Sequence, residues 1–143
     1  MIREKLLIKV EDFEGADLVS SLVQDSIFHI SLHSFEKKEK TLSLMLNRFC
    51  WESVPLFEEE KCYYRVHSGL YIHHVESINI KSNIKDDQYL NLLAFHLSEK
   101  EINLIFSDDK HICINVSGIL IYLKDLHDKY PTLSLPGHDK LTA

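Results

Sequence analysis

The strongest constraint in this chain is a hydrophobic alternation of period two that recurs in four places. Phe28, Ile30 and Leu32 alternate with His29, Ser31 and His33, and Leu42, Leu44 and Leu46 alternate with Thr41, Ser43, Met45 and Asn47. Ile102, Leu104 and Phe106 repeat the pattern, as do Ile112, Ile114 and Val116. Successive side chains of a strand point to opposite faces, so each run offers one face to bury. A charged turn at residues 36–40 joins the first two runs, and Ser107-Asp108-Asp109-Lys110 joins the last two. The pattern therefore predicts two β-hairpins.

Around them the period changes. Leu18, Val19, Leu22 and Val23 fall on one face of a helix that Asp12 or Asp17 would cap and that ends near Gln24-Asp25. Leu6 to Val10 predicts a short first strand, and Tyr64 to Lys81 one or two strands with Leu70, Ile72, Ile78 and Ile80 inward. Leu90 to Leu97 is apolar enough for a central strand, while residues 53–62 and Asn83 to Asp87 are polar enough for loops. Bulk moves to the opposite face at Phe49 and Trp51, which predicts a bulge or strand end near Asn47-Arg48. Val116, Ile119, Leu123 and Leu126 are spaced for a short C-terminal helix that stops before Pro131.

The expected fold class is α+β: a mainly antiparallel β-sheet or partial barrel, with one N-terminal and one short C-terminal helix. A pleckstrin-homology-like arrangement is one concrete form. The chain has 143 residues, enough for one domain and too few for two, expected over residues 1–131 with an extended or flexible tail over 132–143.

Charge narrows the partners. The formal net charge is −6, and the densest basic cluster, Lys37-Lys38-Glu39-Lys40, carries its own acid. Nucleic acid and anionic membrane are disfavoured, since both demand a concentrated Lys/Arg face. The apolar run after Met1 is too short for a signal peptide, and a cytoplasmic location is expected. Three cysteines with no CxxC pair fit a reducing compartment; Cys113 reads as a core residue, and Cys50 and Cys62 are left open.

No catalytic motif stands out. GxSxG, a P-loop and GxGxxG are all missing, and no spacing places a pair of carboxylates for acid–base work. His29 and His33 would lie about 13 Å apart on one strand face, and adjacent His73 and His74 would point oppositely, so neither pair predicts a metal site. No cofactor is expected.

The densest polar–aromatic constellation is Gln24, Asp25, Asn47, Arg48, Trp51 and Glu52. Arg48 is suited to a bidentate pair with Asp25 or Glu52, and Trp51 offers an aromatic face to a guanidinium or ligand ring. The same residues would serve equally to pin the helix end to the hairpin. If they bind a ligand, Arg48 would anchor an anionic group, Asn47 and Gln24 would supply amide hydrogen bonds, and Trp51 an apolar wall.

Gln24-Asp25, Asn47-Arg48-Phe49-x-Trp51-Glu52, Asp125-Leu126 and Pro136-x-His138 occur in an order that resembles the alphaproteobacterial family called domain of unknown function 2948. The chain departs from that pattern where His127 stands in place of the usual Gly after the Asp-Leu pair. The resemblance implies a small cytosolic bacterial protein of unassigned activity. Of the readings left, the leading one is a non-enzymatic binding or adaptor domain for a protein or small anionic ligand. The alternative is a small enzyme or metabolite sensor, in whose pocket Arg48 and Trp51 would meet at least two of His67, His73, His74 and His138. A purely oligomerising domain is a third, and the sequence leaves the oligomeric state undetermined.

Overall fold

Both hairpins form. The computed structural model describes residues 5–53, 62–80 and 88–132. In it β2 (Ser26–Glu36) pairs antiparallel with β3 (Thr41–Phe49), and β7 (Glu101–Phe106) with β8 (His111–Val116). Asp108 and Asp109 turn the second hairpin at φ 63° and 57°. Consecutive positive φ values match the right-handed twist of the flanking strands, and Asp tolerates that region better than most residues.

The remaining described elements are β1 (Leu7–Val10), α1 (Phe13–Val23), β4 (Tyr63–Ile72), β5 (Val75–Ile80), β6 (Tyr89–Leu97), β9 (Ile121–Asp125) and β10 (Tyr130–Thr132), with a single 3₁₀ turn over Trp51–Ser53. All the strands join one antiparallel sheet in the order β1-β9-β4-β3-β2-β6-β7-β8-β5, with β10 paired to the start of β4. Among the described residues the fold is thus a mostly antiparallel, open β-sheet with one α-helix.

Connectivity forces this sheet to curl. Strands β4 and β5 are six sheet positions apart, which in a flat sheet would be about 29 Å. Yet only His73 and His74 separate Ile72 from Val75, a gap that extended chain spans in at most about 11 Å. The β5 end must therefore bend back toward β4. His74 makes the corner at φ 58°, the Val75 amide donates to the Lys40 carbonyl at 2.9 Å, and Lys40 bridges Glu76 at 3.2 Å. The sheet stays open, because β4 and β5 are not hydrogen-bonded neighbours.

The apolar faces meet inside the curl. Leu42, Leu44, Leu46, Leu70, Ile72, Ile102, Leu104, Ile114, Ile121 and Leu123 form one cluster with Ala16, Val19 and Val23 of α1. Asp12 caps that helix, its carboxylate accepting from the Gly15 amide at 2.8 Å.

Several expectations are corrected. The predicted C-terminal helix is β9: Ile121, Leu123 and Asp125 alternate inward between β1 and β4. A 3-4-3 spacing and a period-two run shared the same apolar residues, and cross-strand pairing on both sides decided for the strand. The pleckstrin-homology-like form was expected with a helix at that place and is not confirmed. Of the bulge or strand end expected near Asn47-Arg48 the bulge is absent, for Leu42 through Phe49 pair with Ile72 through Arg65 in unbroken register, and the strand ends one residue on, at Phe49. The irregularity lies instead in β2, between Phe28 (opposite Leu46) and His33 (opposite Leu44). It turns Leu32 out to 52% exposure. Ile80, expected inward, lies on the β5 edge and is exposed. The expected polar turn at Asn83 to Asp87, most of the loop at 53–62, and the tail beyond Thr132 lie outside the described residues.

Candidate functional site

Because β3 runs unbroken, Arg48 takes the inward position that follows Leu42, Leu44 and Leu46. It is fully buried. A guanidinium there cannot be deprotonated away, so its partners must come with it. Three adjacent elements supply them. Ser68 on β4 accepts from Nε of Arg48 at 3.3 Å, and Asp125 on β9 takes Nη2 on both oxygens at 3.2 Å. Glu52, on the 3₁₀ turn just past β3, receives Nη1 and Nη2 side by side at 2.9 and 2.8 Å. This is the bidentate geometry that makes Arg–carboxylate pairs strong.

The network extends further. Ser68 Oγ donates to Asp125 Oδ1 at 2.7 Å, and the Leu6 amide donates to Oδ2 at 3.2 Å. Asp125 thus ties β1, β3, β4 and β9 together. Burial pulls the Arg48 pKa down, but the bonds to Glu52 and the charges of Asp125 and Glu52 outweigh it and hold the group above its ordinary value. Burial likewise pushes the Glu52 carboxyl up, and Arg48 more than reverses that, leaving it lowered.

Residues of the other parity build a separate layer. Asn47 donates through Nδ2 to the Tyr130 hydroxyl at 2.9 Å, and Arg65 donates to the Asn47 carbonyl at 3.2 Å. The Arg65 guanidinium sits 5.6 Å from the centre of the Phe49 ring. Trp51 packs edge-on against Phe49 at 4.7 Å, and its indole N–H donates to the Gln24 carbonyl at 2.8 Å.

The sequence constellation therefore divides. Arg48 and Glu52 meet on the inner side. Gln24, Trp51 and Asn47 join the helix end to the outer layer, Gln24 through its backbone carbonyl. Asp25, at φ 61°, is buried where its charge acts on Arg65, so Glu52 and not Asp25 takes the bidentate role toward Arg48. Sequence reasoning missed Ser68, Arg65 and Tyr130, and it noted Asp125 only as half of a motif. The available signal was parity: a residue two past Leu46 on an unbroken strand points inward.

A cleft of about 600 Å³ opens beside the inner network. Glu52, Asp125, Cys50, Leu6 and Leu7 form part of its wall, with Ser53, Tyr64, Lys5, His127, Asp128 and Lys129 around the rest. Lys129 is held there by Ser53 Oγ at 3.0 Å and lies 4.7 Å from the Tyr64 ring centre. Its volume falls within the range of small-ligand sites.

Cysteine and histidine chemistry find little support. Burial pushes the Cys50 thiol up to about 11 despite Arg48, so it is protonated at neutral pH and a poor nucleophile. Cys113 is buried, as expected, and Cys62 is exposed. Among the described residues no group of three His, Cys, Asp or Glu side chains is placed to hold a metal. None of the described helices is long and apolar enough to cross a membrane.

A family model described as "Protein of unknown function (DUF2948)" matches residues 6–138, spanning both the Asn47–Glu52 stretch and the Asp125-Leu126 pair. The chain belongs to that family. No curated protein and no solved structure matches it. In this DUF2948 chain the two motif pieces, distant in sequence, supply Arg48, Glu52 and Asp125 to one network.

Proposed function

We propose that this chain is a small, non-enzymatic bacterial binding domain, alphaproteobacterial in origin and cytoplasmic, that receives an anionic ligand or a partner's carboxylate. The observation that supports this is the cleft, of ligand size and bearing Lys5, His127 and Lys129 on its wall. Arg48 serves it indirectly. It is fully buried and does not line the cleft, and four of its five N–H donors go to Ser68, Glu52 and Asp125, so it fixes the wall, and the anchoring role passes to the lysines.

The enzyme or sensor reading asked for Arg48 together with at least two of four histidines. His73 follows the last residue of β4, about 24 Å along the strand from the position facing Arg48. His74 lies one residue further, and His138 falls outside the described residues. Only His67 remains near, its ring 6.0 Å from that of His127.

Thermal stability against a metabolite library tests the proposal. A ligand at a hundredfold its dissociation constant adds about 2.7 kcal/mol to the native state, several degrees for a domain of this size. The shift should vanish in Lys129→Glu, a change at an exposed position. A shift that survives Lys129→Glu and Lys5→Glu together would remove the cleft from consideration. No shift with any compound would leave only a protein partner.

A further inference from the structure

The network behind the cleft carries unequal charge. One guanidinium, on Arg48, faces two carboxylates, on Glu52 and Asp125. Both carboxylates line the cleft and Arg48 does not. A ligand entering it therefore meets a wall with one negative charge in excess, although the wall is built on an arginine.

The two carboxylates are not equally available. Asp125 already accepts Arg48 on both oxygens, Ser68 on one and the Leu6 amide on the other. That fills about four acceptor positions, which is what a carboxylate has. Glu52 accepts one Arg48 donor per oxygen, and its side chain keeps 40% of its exposure. Its own backbone amide takes a third acceptor position, which leaves about one lone pair open to a donor in the cleft. A cationic group satisfies it best, since it also answers the excess charge.

Outside the network the cleft carries both signs, with a further carboxylate on Asp128 and cations on Lys5 and Lys129. Lys129 is held in place by Ser53 and the Tyr64 ring, near enough for its charge to act on Glu52. A dianion would be drawn to these lysines and repelled by the wall. A diamine would meet the reverse.

We propose that the cleft takes a zwitterion, a ligand whose ammonium sits on Glu52 and whose carboxylate or other anionic group sits on Lys129 and Lys5. This rests on the cleft being the binding site, and it narrows that reading from anionic ligands to amino-acid-like ones.

The test uses the full chain in calorimetry or dialysis with ω-amino carboxylates of graded chain length, against the dicarboxylates and diamines of the same lengths. An amino carboxylate should bind roughly tenfold tighter than either matched probe. Glu52→Gln should erase its advantage over the dicarboxylate, and Lys129→Met its advantage over the diamine. Lys129→Met lies at an exposed position, so it keeps the test open if Glu52→Gln does not fold. A dicarboxylate that binds as tightly as the amino carboxylate overturns the zwitterion and leaves an anion-binding cleft standing. A diamine that binds best also overturns it. Absence of binding by every probe overturns the zwitterion and the cleft together.

Discussion

Arg48 and Arg65 are two buried arginines on neighbouring strands, one inside the curl and one in the outer layer. Each has left water almost completely, yet their acidities move apart: Arg48 is held above the ordinary guanidinium value and Arg65 below it. Burial is the largest influence on both. At Arg48 the paired oxygens of Glu52 and the charges of Asp125 and Glu52 overcome it. At Arg65 burial prevails over the opposing pull of Tyr130 and Asp25, with the Asn47 carbonyl and the Phe49 ring as neighbours. Burial alone therefore does not decide how an arginine behaves here. The number of negative charges that accompany it does.

The widest test of that difference is to remove each guanidinium in turn. Arg48→Met should cost about 3–5 kcal/mol, because it strands Asp125 in a buried site with its principal charge partner gone. Denaturant midpoints at unchanged slope would measure it. The double change Arg48→Met, Asp125→Leu should recover much of the loss, since a packed apolar pair often equals a buried ion pair. A cost under about 1 kcal/mol for the single change would mean that the network does not hold β3, β4 and β9 together.

Cys50 probes the same balance from a third position. A thiol next to an unopposed guanidinium would be acidified. Burial instead pushes this one up from 9.0 to about 11, with Arg48 lowering it and Glu52 and Asp125 raising it again. A folded-state value above the unfolded one gives stability that is complete below pH 9 and is lost as pH rises toward 11. The loss should approach roughly 2–3 kcal/mol, read as the difference in alkaline stability slope between wild type and Cys50→Ala. Equal slopes would mean that the thiol ionises in the fold as readily as in water.

Arg65→Met should cost less, about 2 kcal/mol, since methionine keeps the apolar contact with Phe49 while the Asn47 carbonyl loses one donor and the buried Asp25 carboxylate loses a cation whose charge it acts on. If it costs as much as Arg48→Met, charge compensation is not what separates the two sites.

How far these sites were legible in the sequence depended on whether their cause was local. The hairpins were legible because alternation and turn residues are neighbours in the chain. The helix was legible too, with Asp12 one of the two caps that the sequence offered and the one that forms. β9 was misread because Ile119, Leu123 and Leu126 satisfy a helical spacing as well as lying in or beside a strand, and only the flanking β1 and β4 decide. Arg48 was recognised as important and misplaced in phase, because the bulk of Phe49 and Trp51 looked like a change of face. In the fold Phe49 is buried in an outer layer by Trp51, Tyr63 and Arg65, so the strand has two covered faces up to its end at Phe49 and no bulge is needed. Asp125 and Ser68 were beyond reach because their pairing with Arg48 spans 77 and 20 residues and follows from sheet order alone.

The smallest expected effect belongs to Glu52, and it separates the half of the network that meets solvent from the half that does not. Its two bonds to Arg48 are shorter than those of Asp125, so distance alone would rank it first. Exposure argues otherwise: water reaches 40% of the Glu52 side chain and 10% of that of Asp125. Screening should reduce the Glu52 pair to about 0.5–1 kcal/mol, the expected cost of Glu52→Gln at neutral pH. The sign with pH follows from its lowered pKa. The contribution is complete above the ordinary carboxyl value of 4.5 and is lost as pH falls through the depressed value. Glu52→Gln should therefore match wild type in strong acid and fall behind it only above that range. Added salt should narrow the gap, while the cost of Arg48→Met should scarcely respond. If salt moves both alike, the inner network is wetter than its burial implies, and the contrast between the two arginines loses its basis.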